Sequence, residues 1–287
     1  MRERIAVPDF ARIHDWTGAW FMEPVAYHAL KAMITRTDLA RHMEESRAQR
    51  AAQTEAGAKD TLTEMIPIRG GKNIAAIRLS GTLMKSESSF GGTSTIMARR
   101  EISAAANDPN VHGILLSIDS PGGTVAGTAE LGDTIKAATN KKAVYSFVDG
   151  LAASAAYWAA SQSDMIFAGN RMAQIGSIGT YFAAYDFSKE FEAAGVRTHL
   201  FSTGPLKGMG TPGMPITDDQ AAHLQERVNE MQTHFDAAVR SGRGMSASEL
   251  TAVRSGAVFP AAQAIERKLI DGIKTLDQTL AALVAAT

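Results

Sequence analysis

The chain contains no cysteine, no long apolar run and almost no net charge. Without cysteine there is no disulfide and no thiolate nucleophile, and the composition fits a reducing compartment. No segment reaches 18 uninterrupted apolar residues, so no membrane span is predicted. Lys and Arg total 29 against 30 Asp and Glu, a formal charge of −1 that points to no nucleic acid or other polyanion. The start, Met1-Arg2-Glu3-Arg4-Ile5, lacks the apolar core of a signal peptide, and a cytoplasmic location is expected. The Gly-x-Ser-x-Gly elbow and the His-Glu-x-x-His pair are both missing. The seven histidines form no recognisable ligand set, so neither a metal nor a cofactor is expected.

What is present is an ordinary globular composition, 45% hydrophobic and 21% charged, over 287 residues. That length suits one substantial domain with an extension. Residues 1–65 differ from the remainder. Trp16, Trp20, Phe21 and Met22 make a small apolar cluster, a helical stretch follows from about Pro24, and residues 41–61 are polar with few anchors. This segment reads as an arm or linker, either loosely packed or serving as an assembly arm or removable extension. Residues 66–287 read as the main domain.

In that domain strand and helix alternate. Strands are predicted over 73–83, 111–119, 143–148, 165–168 and 196–201. Helices are predicted over 93–107, 124–139, 154–161 and 187–194, with a long one from Thr217 to Val239 opened by a capping-box sequence. Alternation of this kind predicts an α/β fold with a mainly parallel sheet covered by helices. Ligands bind such sheets at the carboxyl ends of the strands. Two segments fall there, Ser120-Pro121-Gly122-Gly123 and Gly150 to Ser154.

The chemistry-bearing candidates follow from those positions. Ser154 stands at a strand-to-helix junction, where unpaired helix N–H groups can face a developing oxyanion. Small residues around a serine also serve close helix packing. Gly122-Gly123 allows close backbone approach to a ligand, or is simply a tight turn; the Gly-Lys-Ser/Thr ending of a phosphate loop is missing there. Lys207 lies in a Gly/Pro-rich loop, Ser202 to Pro212. It reads either as a solvated charge or as a general base, and the second role requires burial or nearby positive potential. Ser177, in Ile175-Gly176-Ser177-Ile178-Gly179, marks a bend and has a hydroxyl able to hold a neutral amine.

Four motifs occur in order: Asp119-Ser120-Pro121-Gly122-Gly123, then Ala152-Ala153-Ser154-Ala155-Ala156-Tyr157-Trp158-Ala159-Ala160, then Gly176-Ser177-Ile178-Gly179, then Gly204-Pro205-Leu206-Lys207-Gly208-Met209-Gly210-Thr211-Pro212. Over roughly residues 72–275 the chain resembles the signal-peptide-peptidase-A-type (SppA) serine peptidases. The resemblance implies a crotonase/ClpP-like fold and a Ser-Lys dyad. By it Ser154 is the nucleophile, Lys207 the general base and Ser177 the residue that orients the lysine. Gly123 and Ala155 supply the oxyanion-hole amides, with Gly122 shaping the turn. It implies polypeptide substrates and a homo-oligomer, with the dyad completed across a subunit boundary. Within the family the amino-terminal segment is similar to that of phage prohead proteases, which work inside the procapsid on scaffold, portal or capsid proteins and often on themselves. Three alternatives stand beside this reading: a bacterial SppA-like peptidase degrading signal peptides, an acyl-coenzyme-A enzyme of the same fold, and an inactive capsid or scaffold component.

Overall fold

The structure is a computed structural model that describes residues 19–22, 24–38, 41–42, 44–45, 48, 61–88 and 91–286. Trp16 and most of residues 39–60 lie outside the described residues. In chain order the elements are β1 (Ala19–Met22), α1 (Pro24–Arg36), β2 (Thr63–Pro67), β3 (Asn73–Ser80), β4 (Leu83–Met84), β5 (Thr93–Ser94) and α2 (Thr95–Asn107). There follow β6 (Val111–Ser120), β7 (Gly122–Thr124), α3 (Thr128–Thr139), β8 (Val144–Ala153), α4 (Ala155–Ser161), β9 (Met165–Ala168), β10 (Gln174–Gly176) and β11 (Tyr181–Phe182). The carboxyl part holds α5 (Ser188–Ala193), α6 (Asp218–Arg243), α7 (Ala247–Thr251), β12 (Val258–Pro260), α8 (Ala261–Glu266), β13 (Gly272–Ile273) and α9 (Leu276–Val284).

Two sheets organise these elements. The larger runs β12-β10-β8-β6-β3-β2, with β9 alongside β8 and β13 alongside β9. Its interior pairings, β3 with β6, β6 with β8, β8 with β9 and β8 with β10, are all parallel, while β2 and β12 add antiparallel edges. The smaller sheet runs β11-β1-β7-β4-β5. The alternating strand and helix of the sequence thus produce the expected α/β layering.

The central strands are covered on both faces, which is why β6 reads as a nearly continuous apolar run. Ile114, Leu116 and Ile118 enter the main core with Ile102, Leu131, Ile135 and Tyr157. Leu115, on the opposite face, packs with Ile74, Phe147 and Leu283 of α9. Among the described residues no helix is long and apolar enough to cross a membrane.

Several sequence expectations change. The helix expected from residue 124 begins at Thr128, because Gly122–Thr124 is a strand and Gly127 turns at φ 93. The strand expected at 143–148 continues through Gly150 to Ala153. The large sheet begins at Thr63, inside the segment read as arm or linker. Residues 196–201 form no strand: Val196, Leu200 and Phe201 are exposed, and no neighbouring strand takes up their backbone groups among the described residues. An apolar, β-branched run needs a pairing partner to become a strand.

α4 is the most enclosed helix, with all seven of its residues buried. Trp158 stacks on Phe235 of α6 at 5.1 Å, and the Tyr157 hydroxyl donates to the Leu269 carbonyl at 2.9 Å. Burial raises the Tyr157 pKa and keeps the phenol neutral. Glycines allow this approach: a Cβ on Gly242 would lie 2.0 Å from the Ser161 carbonyl oxygen, and one on Gly132 2.7 Å from the Trp158 indole nitrogen. Phe235→Ala is expected to lower the unfolding free energy by about 3–5 kcal/mol, the range for a buried aromatic truncation. Urea denaturation of the two proteins measures it, and a loss below 1 kcal/mol would show that α4 is not held from this side.

Candidate active site

The site is built where three strands of the large sheet end. β6 and β8 shift register between Ile118 and Ser120, so that Ser120 pairs with Ala152. This irregularity carries the chain out of the large sheet and into β7 of the small one. Asp119 and Ser120 hold the crossing together. The Asp119 carboxylate accepts from the Leu151 N–H at 3.1 Å, and its carbonyl accepts from the Gly81 N–H at 3.0 Å. The Ser120 hydroxyl donates to the Gly81 carbonyl at 2.6 Å and accepts from the Gly122 N–H at 3.2 Å. Sequence reasoning gave neither residue a role, although both stand in the motif before Pro121.

Both glycines of this motif are required by geometry. Gly122 adopts φ 99, in the left-handed region. A Cβ on Gly123 would lie 1.7 Å from the Leu83 carbonyl oxygen. Gly123 faces Leu83 of β4 on one side and Phe21 of β1 on the other.

Ser154 lies between β8 and α4 with φ 56 and ψ −119, a conformation in which glycine is the usual residue. Its N–H donates to the Gly176 carbonyl and its carbonyl accepts from the Trp158 N–H, each at 2.8 Å. The residue is fully buried, and its Oγ has no hydrogen-bond partner among the described residues. Buried hydroxyls are normally satisfied, so an orphan at a strained backbone position marks a group kept for another purpose. Three described non-glycine residues have positive φ, Ser154, Ser177 and Lys268, and two of them are sequence candidates. Ala155 is the first residue of α4, so its N–H has no acceptor within the helix.

Ser177 immediately follows Gly176, the acceptor of the Ser154 N–H, and its own N–H donates to the Ala257 carbonyl at 2.7 Å. It lines a cavity of about 390 Å³ together with Met22, Thr180, Gln232 and Arg254. A hydrogen-bonded chain stiffens that wall: Thr180 to Gln232 at 3.0 Å, Gln232 to Asp236 at 2.7 Å and Arg254 to Asp236 at 2.5 Å.

Lys207 stands apart from this group. It is exposed, on a loop of successive tight turns in which the Lys207 N–H donates to the Gly204 carbonyl at 3.1 Å. Gln220, at the start of α6, ties the loop by donating to the Pro205 carbonyl at 2.9 Å. The Lys207 ammonium makes no hydrogen bond or ion pair among the described residues, and Ser154 Oγ accepts none. Ser154, Ala155, Gly122, Gly123 and Ser177 are therefore assembled around one strand-end junction, while the expected partner lysine is not hydrogen-bonded to the serine within the single chain. The string Gly208-Met209-Gly210-Thr211-Pro212-Gly213 spells the dinucleotide-binding spacing, but no strand precedes it and the next helix starts only at Asp218.

Similar proteins identify the family and the fold. The family model for peptidase family S49 matches residues 136–286, more than half of the chain, and the model for Clp protease matches residues 91–177. The mainly parallel sheet with flanking helices is thus a crotonase/ClpP-type fold. Capsid assembly protease C of Escherichia phage lambda is 31% identical over 204 residues, which is 69% of this chain and 46% of that protein. A candidate signal peptide peptidase SppA of Enterococcus faecium is 30% identical over 179 residues, 61% of this chain and 51% of that protein. A candidate protease of Methanocaldococcus jannaschii is 28% identical over 173 residues, 60% of this chain and 55% of that protein. The chain spans about half the length of these curated relatives.

The strain at Ser154 predicts an order of stabilities. Ser154→Gly is expected to be more stable than Ser154→Ala by about 1 kcal/mol, because only glycine relieves the positive φ. Urea midpoints of the two variants test it, and an alanine variant at least as stable as the glycine one would show that the backbone is not strained.

Proposed function

The chain belongs to peptidase family S49, and from that premise we propose that it is a serine endopeptidase with a Ser154–Lys207 dyad completed between subunits. The observation that carries this reading is the buried, unpartnered Ser154 Oγ at a strained strand-to-helix turn, immediately before the first N–H of α4. In the reaction, neutral Lys207 takes the Ser154 proton as Oγ attacks the peptide carbonyl carbon. The Gly123 and Ala155 N–H groups donate to the resulting oxyanion. Lys207 then gives its proton to the leaving amine as the peptide C–N bond breaks. Water deacylates Ser154 with Lys207 again as the base, and no cofactor is needed.

The neighbouring copy enters through the placement of the lysine. Lys207 lies on an exposed loop among exposed apolar residues, Val196, Leu200, Leu206 and Phe201, the last 94% exposed. A surface of that kind is suited to burial against another protomer. The cavity lined by Ser177 has room for an incoming side chain, whose amine the Ser177 hydroxyl would orient in this reading. Substrates are polypeptides of capsid assembly, such as scaffold, portal or head proteins, and the chain itself, cut in the procapsid. Similarity to the phage lambda protease, the longest of the three matches, supports that branch over the degradation of signal peptides.

Ser154→Ala and Lys207→Ala are each expected to lose at least about 10³-fold of casein-cleaving activity while remaining folded. Lys207→Arg should fail likewise, because a guanidinium does not deprotonate. A mixture of the two alanine variants, dissociated and reassembled together, should regain activity at about a quarter of its sites, since each supplies what the other lacks across a shared interface. No recovery in the mixture would place both members of the dyad in one protomer. Full activity of Ser154→Ala would refute the peptidase reading.

A further inference from the structure

β1 is an internal strand of the small sheet, although it comes from the amino-terminal segment. It runs antiparallel between β7 and β11, with Trp20 opposite both Thr124 and Tyr181, Phe21 opposite Gly123 and Met22 opposite Gly122. These two neighbours flank the serine site. β7 carries the Gly123 amide assigned to the oxyanion, and β11 lies just beyond Ser177. Two strands that share one partner stand about 10 Å apart, twice the usual strand spacing. Without β1 they would frame a slot one strand wide, edged by unpaired backbone groups, the arrangement in which a peptide binds by strand addition.

The slot is closed. Ser154, Ala155, Gly122 and Gly123 are all buried. Met22 is 1% exposed and shares the wall of the 390 Å³ cavity with Ser177. It packs with Tyr27, Met84, Tyr181 and Ala183. α1 fastens the strand from outside: Tyr27 meets the Tyr181 ring edge-on at 5.3 Å, and the Lys31 ammonium lies 3.3 Å from the centre of the Tyr185 ring.

We propose that residues 19–22 are an internal peptide ligand, seated in the slot that receives the polypeptide substrate, and that substrate engages only when they leave it. β1 runs from Thr124 toward Gly122, so a substrate replacing it sets a backbone carbonyl beside the Gly123 amide and an apolar side chain where Met22 now packs. The meaning of the slot rests on the peptidase reading, but its occupation can be measured without turnover.

The sequence has no cysteine, so a single disulfide can be introduced cleanly. Ala19 and Phe182 are directly opposed. Cross-strand partners stand about 4.5–5.5 Å apart, within disulfide reach. The full chain carrying Ser154→Ala with Ala19→Cys and Phe182→Cys is compared oxidised and reduced for binding of fluorescein-labelled unfolded casein by anisotropy. Casein should bind at least about tenfold more weakly when β1 is cross-linked, and reductant should restore it. Equal affinity in both states with the cross-link confirmed by mass, a lack of binding in both included, would overturn the proposal. A second variant needs no cross-link: Phe21→Pro removes an amide from β1 and should bind casein more tightly than the Ser154→Ala parent, while unchanged or weaker binding counts against the proposal. Should the lock block binding while the wild-type chain neither cleaves casein nor labels at Ser154 with a fluorophosphonate, the peptidase reading fails and the occupied slot stands.

Discussion

The site depends on holding Ser154 in a backbone conformation that serine does not choose by itself. At φ 56 and ψ −119 the residue is fixed by two backbone hydrogen bonds, from its N–H to Gly176 and to its carbonyl from Trp158. Those bonds resist the strain only if both partners are immobile. Gly176 is, because β10 is paired with β8 on one side and β12 on the other. Trp158 is, because its ring is stacked on Phe235. Strain of about 1–3 kcal/mol at such a position persists where the surroundings over-determine it.

One helix supplies much of that determination. α6 presents Phe235 and Gly242 to α4, and so sets the height and tilt of the helix that begins after Ser154. Its Gln232 bonds Thr180, just beyond Ser177. Its first turn, through Gln220, bonds Pro205 beside Lys207. Ser154, the segment after Ser177 and the loop of Lys207 are therefore all referenced to a single rod. Under the proposed function, such a rod would carry the lysine loop outward to a neighbour while fixing its own serine, so the proposed sharing of the dyad between copies is compatible with a fixed Ser154.

Some of this organisation was legible in the sequence because it has a local cause. The long helix announces itself by Thr217 and Gln220, and both hydrogen bonds of the capping box are formed. The apolar run of β6 reflects burial on two faces, and the small residues after Ser154 reflect a helix enclosed on all sides. Other features have only non-local causes. β7 is three residues long and two are glycine, so no side-chain pattern distinguishes it from a turn; it becomes a strand because Leu83 and Phe21 flank Gly123. Residues 196–201 carry strand-like composition but have no partner strand among the described residues, and β1 joins a sheet whose other members lie far along the chain. Asp119 and Ser120 owe their roles to a register shift that no single-strand pattern encodes.

A peptidase that recognises substrate by strand addition faces a difficulty created by its own chemistry. The unpaired backbone groups that bind an extended peptide are the same groups that make open sheet edges prone to association. β7 cannot be protected by charge or bulk, since Gly123 tolerates no side chain and Gly122 requires a positive φ. The remaining protections are covering and pairing, and β1 does both at once. A four-residue strand is also short enough to leave, because its backbone bonds to β7 and β11 are remade by the peptide that takes its place. The difference between the two states then rests mainly on side-chain packing, here that of Met22 and the α1 ring contacts. Under the proposed displacement of β1, selectivity for incoming peptides would be set by how well their side chains replace that packing.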